Sequence, residues 1–365
     1  MKIARSLTTS RRSGRGFTLV ELLVVVAIIA LLIGVLLPAL GKARTASQSA
    51  VAMSNVRQLS TAQSTYASRS DGWLAGPNTS GASALLESGK NLVGSTSSTT
   101  PTSSHDWISP SLGDELGFSA NRAERTYQLF NKFKCPRASE QAVLYVDGSA
   151  ATDMADFQKL YQAKGGYGQV SYLAPASFLY SGPASKTSNA VGGWAPRLLL
   201  SARGENAYKL VKTSFPDPFV VPKGYRPEMS QIKNPSMKAI VADGTRYVTL
   251  GSSFGSSWKL DFDVGPNPSI YGSFSESAPV FDHTSGSVAY SRTYGQSIRE
   301  VNVDFSMRFP GRQMHVAFFD GHAERITSTR AWSEPQMWFP SGAEYTGNRA
   351  TPEVKAKFKA GERLP

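Results

Sequence analysis

The chain has 365 residues, of which 41% are hydrophobic and 18% are charged, as in globular proteins that carry one apolar segment. Its formal net charge of +12 includes five basic residues that precede Phe17, and it lacks a run of Lys and Arg with interleaved aromatic residues, so we expect no nucleic-acid partner. The single cysteine, Cys135, excludes an intramolecular disulfide and is expected to be buried.

The first predicted element is a transmembrane helix at residues 17–37. This stretch contains one charge, Glu21, and is long enough to cross the hydrocarbon core of a bilayer. Residues 1–16 contain basic side chains and no acid, which predicts a leader that stays in the cytoplasm. The bulk of the chain is therefore expected on the other side of the membrane.

Glu21 is the unusual residue of this span. A carboxylate at the centre of a transmembrane helix costs about 2.5–3.5 kcal/mol on insertion scales, and less near the helix end. A functional role with a specific partner is one interpretation of Glu21. The other is that the side chain lies at headgroup depth and stays hydrated.

The segment from Gly16 to Leu23, GFTLVELL, resembles the type III signal of type IV prepilins and type II secretion pseudopilins. In that family a prepilin peptidase cleaves after the glycine and methylates the new N-terminal phenylalanine, and the glutamate serves assembly. The resemblance therefore implies cleavage after Gly16, methylation at Phe17 and an assembly role for Glu21. Cleavage would create an amine at Phe17, which Glu21 of a neighbouring subunit can neutralise.

The predicted helix continues beyond the span, so that residues 17–70 form one long element. Pro38 interrupts the apolar run and is expected to kink the helix, and Asp71-Gly72 is expected to end it. A helical period of apolar residues predicts a buried face on the second half, formed by Ala52, Val56, Leu59, Ala62 or Gln63, and Tyr66. The segment Asn55-Val56-Arg57-Gln58-Leu59 resembles that of a planctomycete-type pseudopilin group with a C-terminal Asp-Gly motif.

The remaining chain is expected to be a β-rich domain with two less ordered flanks. Ser and Thr dominate the stretch before His105, which predicts a linker or low-complexity loop at residues 71–105. Short apolar runs between turn residues predict strands within a soluble domain at residues 106–340, for example Ala239–Ala242 and Val316–Phe319. Residues 341–365 are polar and predict a flexible tail. With the resemblance, the expected fold is α+β and pilin-like: a long N-terminal transmembrane and amphipathic helix followed by an antiparallel β-rich domain.

The strongest turn signal is Asp320-Gly321, between two runs that contain apolar residues. A two-residue hairpin turn at this position predicts that His315 pairs with Ile326. The segment resembles the C-terminal motif of the pseudopilin group, although Pro310 stands where that group has a histidine. The turn and the register are therefore predicted, and a role for the missing histidine is not.

A metal site is the weaker interpretation of the acidic turns. His315 and His322 are expected at different heights along the hairpin, too far apart to share a transition metal. Calcium prefers carboxylate and carbonyl oxygens, and Asp243 and Asp320 both precede glycine in predicted turns. Turn chemistry explains both residues better, so no cofactor is expected and calcium stays the alternative.

The resemblance and the residues together predict a structural pseudopilin subunit of a type II secretion or type IV pilus-like fibre, or a minor subunit that stays in the membrane. The expected partners are prepilin peptidase, other pilin-like subunits and the bacterial inner membrane, with the domain periplasmic or extracellular. We find no enzyme signature and expect no catalytic residues. The alternative is an exported periplasmic enzyme or sugar-binding protein, with a twin-arginine-like signal cut near Gly41 or an uncleaved membrane anchor.

Overall fold

The structure is a computed structural model, and it divides the chain into two compact units, Met1–Ser47 and Gln48–Pro365. It describes residues 17–87, 96–138, 142–145, 152–168, 171–181, 218–244, 248–249, 259–263, 274–276, 278–282 and 306–365. Its helices are α1 (Leu19–Arg69), α2 (Ser80–Glu87), α3 (Ile108–Leu112), α4 (Arg122–Lys132), α5 (Met154–Lys164), α6 (Ala176–Leu179), α7 (Ser328–Ser333) and α8 (Pro352–Lys357).

The predicted long helix is confirmed as α1, which continues through Pro38 without a break. It ends at Arg69, separated by one residue from Asp71 and Gly72, whose φ angles of 51° and 87° are incompatible with a right-handed helix. The Gly72 backbone N–H donates to the carbonyl of Ala67 at 2.8 Å, which closes the last helical turn. The Asp-Gly pair therefore terminates α1, as the sequence predicts.

The second half of α1 buries the face that its apolar period predicts. Ala52, Val56 and Leu59 have no exposed surface. Tyr66 is only partly buried, and Ala67 takes the buried position of the last turn. Removal of apolar surface from water is the main contribution of this face to stability, at about 25 cal/mol per Å².

A five-stranded sheet forms the centre of the folded domain. Its order is β7-β2-β4-β8-β9, and each of its strand pairs is antiparallel except β2 with β7. The bounds of these strands are β2 (Tyr172–Pro175), β4 (Ala239–Asp243), β7 (Ser275–Glu276), β8 (Gln313–Phe318) and β9 (Ala323–Thr327). Every residue of the central strand β4 is buried, which agrees with its apolar run Ala239–Ala242, and its last residue, Asp243, is a buried carboxylate.

Two smaller sheets complete the described strands, and the domain is therefore α+β, as expected. One sheet has the order β1-β6-β5, with β1 at Ala142–Tyr145, β5 at Val248–Thr249 and β6 at Lys259–Asp263. The other pairs β3 (Phe219–Val220) with β10 (Glu344–Tyr345) in antiparallel register.

The Ser- and Thr-rich stretch that predicts a linker packs closely against the domain where it is described. A Cβ atom at Gly81 would lie 2.0 Å from the carbonyl oxygen of Ser104, and one at Gly113 would lie 2.0 Å from that of Ser98. Only glycine permits these approaches. Residues 101–105 are buried, and the same region contains α2. Polar composition alone therefore does not make this stretch an open loop.

The last residues also differ from the flexible tail that their polar sequence predicts. Tyr345 in β10 packs against Phe219 with ring centroids 5.1 Å apart. Leu364 is 3% exposed, and its N–H donates to Ala343 O at 2.9 Å. Apolar anchors at both ends of the segment thus hold it on the domain, with α8 between them.

Candidate functional site

The start of α1 is a capping box formed by Thr18 and Glu21. The Thr18 backbone N–H and hydroxyl each donate to Glu21 Oε2 at 2.9 Å, and the Glu21 N–H donates back to Thr18 Oγ1 at 3.2 Å. This reciprocal arrangement satisfies backbone donors that the first helical turn leaves without partners. Within one subunit, the carboxylate that is predicted to serve assembly therefore already has hydrogen-bond partners.

The apolar part of α1 presents its side chains on all sides. Within the described part of the chain, α1 is the one helix whose length and apolar composition suffice to cross a membrane. The large apolar side chains from Leu19 to Leu40 are exposed in the isolated subunit. Such a surface is covered by lipid or by other helices, because a soluble monomer rarely exposes a large apolar patch. The helix therefore supports membrane anchoring.

The predicted processing residues lie at the boundary of the described chain. Gly16 lies outside the described residues, and Phe17 is the first residue that the structure places, with 73% of its surface exposed. Glu21 follows in the first turn of α1. The structure thus places two of the three predicted residues together at the helix start.

Polar side chains on the second half of α1 bond to the five-stranded sheet. Asn55 Nδ2 donates to the hydroxyl of Tyr172 in β2 at 3.0 Å. Ser60 Oγ donates to the carbonyl of Phe318 in β8 at 3.2 Å. These directional contacts set the rotation of the helix on the sheet, since apolar contacts alone do not specify one angle.

A hydrogen-bonded chain of three side chains joins α1 to the centre of the sheet. Ser49 Oγ lies 2.7 Å from His315 Nε2, and His315 Nδ1 lies 2.7 Å from Asp243 Oδ2. The same carboxylate oxygen accepts the His315 backbone N–H at 2.8 Å. His315 and Asp243 are fully buried, whereas Ser49 is half-buried. We call these three residues the serine–histidine–aspartate relay.

The surroundings of the relay fix its histidine and include Cys135. The Phe309 ring meets the His315 ring edge-on, with centroids 4.4 Å apart. Burial raises the pKa of Cys135, and the negative charge of Asp243 adds to this effect, which the Arg308 guanidinium opposes. The prediction that Cys135 is buried is confirmed.

Sequence reasoning missed the relay because its members are far apart in the chain. Ser49 and His315 are separated by 266 positions, and His315 and Asp243 by 72. No local pattern marks Ser49, which lies inside a helix rather than on a strand-to-helix turn. The one available signal was a histidine between the apolar residues Met314 and Val316 of a buried strand.

The C-terminal hairpin has a different register from the predicted one. His315 pairs with Arg325 rather than Ile326. Gly321 has a φ of 90°, and Asp320 is not among the residues with positive φ, so a mirror-image two-residue turn is not formed. The Phe318 N–H donates to His322 O at 2.9 Å and thereby closes a three-residue loop. The extra loop residue shifts the pairing by one position.

The two aspartates of the calcium alternative lie in different settings. Asp243 is buried against His315, whereas Asp320 Oδ1 lies 2.5 Å from Nδ1 of His322 at the hairpin loop. Hydrogen bonds from His322 lower the pKa of Asp320 against an opposing effect of desolvation. The described residues contain no group of three or more His, Cys, Asp and Glu side chains that could hold a metal ion.

The comparisons with known proteins concern the N-terminus. Residues 11–37 match the family model of the prokaryotic N-terminal methylation motif, and this match includes Gly16, Phe17 and Glu21. No curated protein and no solved structure is significantly similar to the chain. The motif and the long apolar helix therefore define a protein with a prepilin-type N-terminal segment.

Proposed function

We propose that this protein is a structural pseudopilin subunit. Prepilin peptidase would remove the leader after Gly16 and methylate Phe17, and α1 would then pack among the helices of other pilin-like subunits. The product is a fibre of the type II secretion or type IV pilus kind, or a minor subunit in the inner membrane. The observation that carries this proposal is the coincidence of the methylation motif with the start of the exposed apolar helix.

The charge pattern supports a single-pass orientation. The leader has five basic residues and no acid. Positive flanking charge retains a segment in the cytoplasm, so the domain that follows α1 would face the periplasm or the exterior. The folded domain, with its own buried core, would supply contacts with specific partners of the fibre.

Glu21 has a defined part in this proposal. The amine created at Phe17 and the carboxylate of Glu21 are each costly in an apolar layer. In a fibre, the carboxylate of one subunit would neutralise the amine of its neighbour while Thr18 continues to donate to it. Loss of one partner from a buried ion pair costs about 3–5 kcal/mol, which is enough to fix the axial register between subunits.

The deciding experiment is mass spectrometry of the mature N-terminus after isolation from native membranes. We expect the wild-type chain to begin at N-methylated Phe17. Gly16→Val should retain the leader, whereas the matched control Gly14→Val should be processed normally. An intact Met1 would contradict processing, and a chain that begins near Gly41 would indicate a released periplasmic protein, although Gly41 lies inside α1.

A second arm of the same experiment addresses assembly. Processed Glu21→Ala subunits should enter filaments or cross-linked oligomers much less than wild type does. Equal incorporation would exclude the Glu21 pairing while leaving the processing result intact.

A further inference from the structure

The serine–histidine–aspartate relay has the connectivity of an activated nucleophile. Asp243 Oδ2 lies 2.7 Å from His315 Nδ1, so in the neutral ring the proton belongs on Nδ1 and the lone pair on Nε2. Ser49 then donates its hydroxyl proton to Nε2 across 2.7 Å. A hydroxyl bonded to a general base that a buried carboxylate orients is the recognised arrangement for a nucleophilic serine, whatever the fold.

Two other serines on the same helix, Ser64 and Ser68, behave differently. Ser64 and Ser68 donate to helix carbonyls four residues earlier, at 3.2 and 3.0 Å, as helical serines commonly do. Ser49 instead directs its hydroxyl towards an imidazole on a separate strand. Its bond is therefore a tertiary contact, and Ser64 is a matched reference because it is half-buried on the same helix.

The carboxylate and the imidazole are fully buried, whereas the serine keeps some exposed surface, as a reactive site requires. Asp243 and His315 have no exposed surface, so the orienting bond is protected from competition with water. The edge-on Phe309 ring restricts rotation of the imidazole. Ser49 is half-buried, so it is the member of the relay that keeps exposed surface.

The guanidinium of Arg137 is hydrogen-bonded to the residue that precedes Ser49. Arg137 Nη1 donates to Gln48 Oε1 at 3.3 Å, and Gln48 immediately precedes Ser49. The Arg137 guanidinium also lies over the Phe309 ring, 5.6 Å from its centroid. Positive charge near a reacting carbonyl stabilises the oxyanion that develops during acyl transfer.

We propose that Ser49 is a nucleophile that accepts an acyl group from an ester or thioester donor. Ser49 Oγ forms a bond to the acyl carbon while its proton passes to His315 Nε2. The bond between the acyl carbon and the alcohol or thiol then breaks, and His315 returns the proton to that leaving group. The products are an ester on Ser49 and a free alcohol or thiol. This inference does not rest on the proposed assembly function.

The test uses the full-length chain in detergent and a fluorophosphonate probe. In this reaction the Ser49 oxygen forms a bond to phosphorus and fluoride leaves, with the hydroxyl proton passing to His315. We expect the adduct on the peptide that contains Ser49, formed at least about 100-fold faster than on Ser64, because general-base catalysis contributes 10² or more. Ser49→Ala should abolish the adduct, whereas Ser64→Ala should leave it unchanged.

His315→Gln tests the base directly if the variant folds, and it should reduce labelling about 100-fold. Because His315 is buried, a second measurement leaves it intact: the alkylation rates of Ser49→Cys and Ser64→Cys by iodoacetamide are compared at pH 7. The thiol at position 49 should react about tenfold faster or more, since a neighbouring imidazole promotes the thiolate. No fluorophosphonate adduct on Ser49, or equal alkylation rates, would overturn the proposal.

Discussion

Gln63 on α1 provides a demanding test of how the helix is joined to the domain. Its side chain is fully buried and forms two hydrogen bonds with the backbone of Ala75. Gln63 Nε2 donates to Ala75 O at 2.8 Å, and Ala75 N donates to Gln63 Oε1 at 2.9 Å. Gln63→Leu keeps a similar volume and removes both bonds, so that one N–H and one C=O of Ala75 are left buried without these partners.

The expected loss in the free energy of unfolding follows from the N–H and the C=O of Ala75. A buried polar group without a partner costs about 1–3 kcal/mol, so the pair should cost about 2–6 kcal/mol. The leucine side chain recovers part of this cost, since it is more apolar than the amide that it replaces. We therefore expect a net loss of about 3 kcal/mol, which is a large fraction of a typical stability of about 5–15 kcal/mol.

The assay is urea unfolding of the full chain in detergent, followed by tryptophan fluorescence. The matched control is Gln58→Leu on the same helix, where the glutamine is only partly buried, and we expect a change of less than about 0.5 kcal/mol. A loss below about 1 kcal/mol for Gln63→Leu would refute the reasoning. It would mean that the Ala75 backbone finds water or another partner at little cost.

Two further predictions concern the docked C-terminal residues. Lys238 Nζ donates to Gln336 O and Phe339 O at 2.8 and 3.0 Å, and burial lowers its pKa to about 8 from the usual 10.5. Between these values the unfolded chain binds more protons than the native one, so stability should rise with pH, by about 1 kcal/mol from pH 7 to 9. Urea unfolding at both pH values measures this rise, and an unchanged rise in Lys238→Met would contradict the assignment to this lysine. Leu364→Ala should lower the free energy of unfolding by about 2–3 kcal/mol because it truncates a buried side chain, whereas the neighbouring exposed Arg363→Ala should have little effect. Equal effects in thermal unfolding would show that this segment is not held on the domain.

Local patterns predicted the long helix well, because the relevant signals are contiguous. The period of Val56 and Leu59 revealed the buried face, and Asp71-Gly72 marked its end. The hairpin register was not predictable in the same way. Asp320-Gly321 is compatible with both a two-residue and a three-residue loop, and the choice depends on the φ angle of Asp320, which its sequence does not determine.

The Ser- and Thr-rich stretch and the C-terminal residues show a different limit of sequence reasoning. Their composition predicts solvation, since polar groups are costly to bury without partners. The structure supplies those partners through the fold. For example, Asp106 accepts bonds from the Thr102 N–H and hydroxyl at 2.8 and 2.9 Å, and it also accepts the N–H of Ser109 in the first turn of α3. Whether a polar residue is buried therefore depends on neighbours that composition does not reveal.

The same reasoning explains why the processing segment could be predicted from the sequence and the serine–histidine–aspartate relay could not. The chemistry of the processing segment lies in neighbouring residues, so Thr18 and Glu21 form their capping box within a single helical turn. The serine–histidine–aspartate relay depends on the sheet, which places β4 beside β8, and on the packing of α1, which contributes Ser49. An amphipathic pattern assigns polar residues to solvent, yet Asn55 and Ser49 face the domain and set the angle of the helix through directional bonds. Polar residues at the edge of an amphipathic helix can therefore determine how the helix docks on its domain. In this chain, one of them also carries the proposed reactivity.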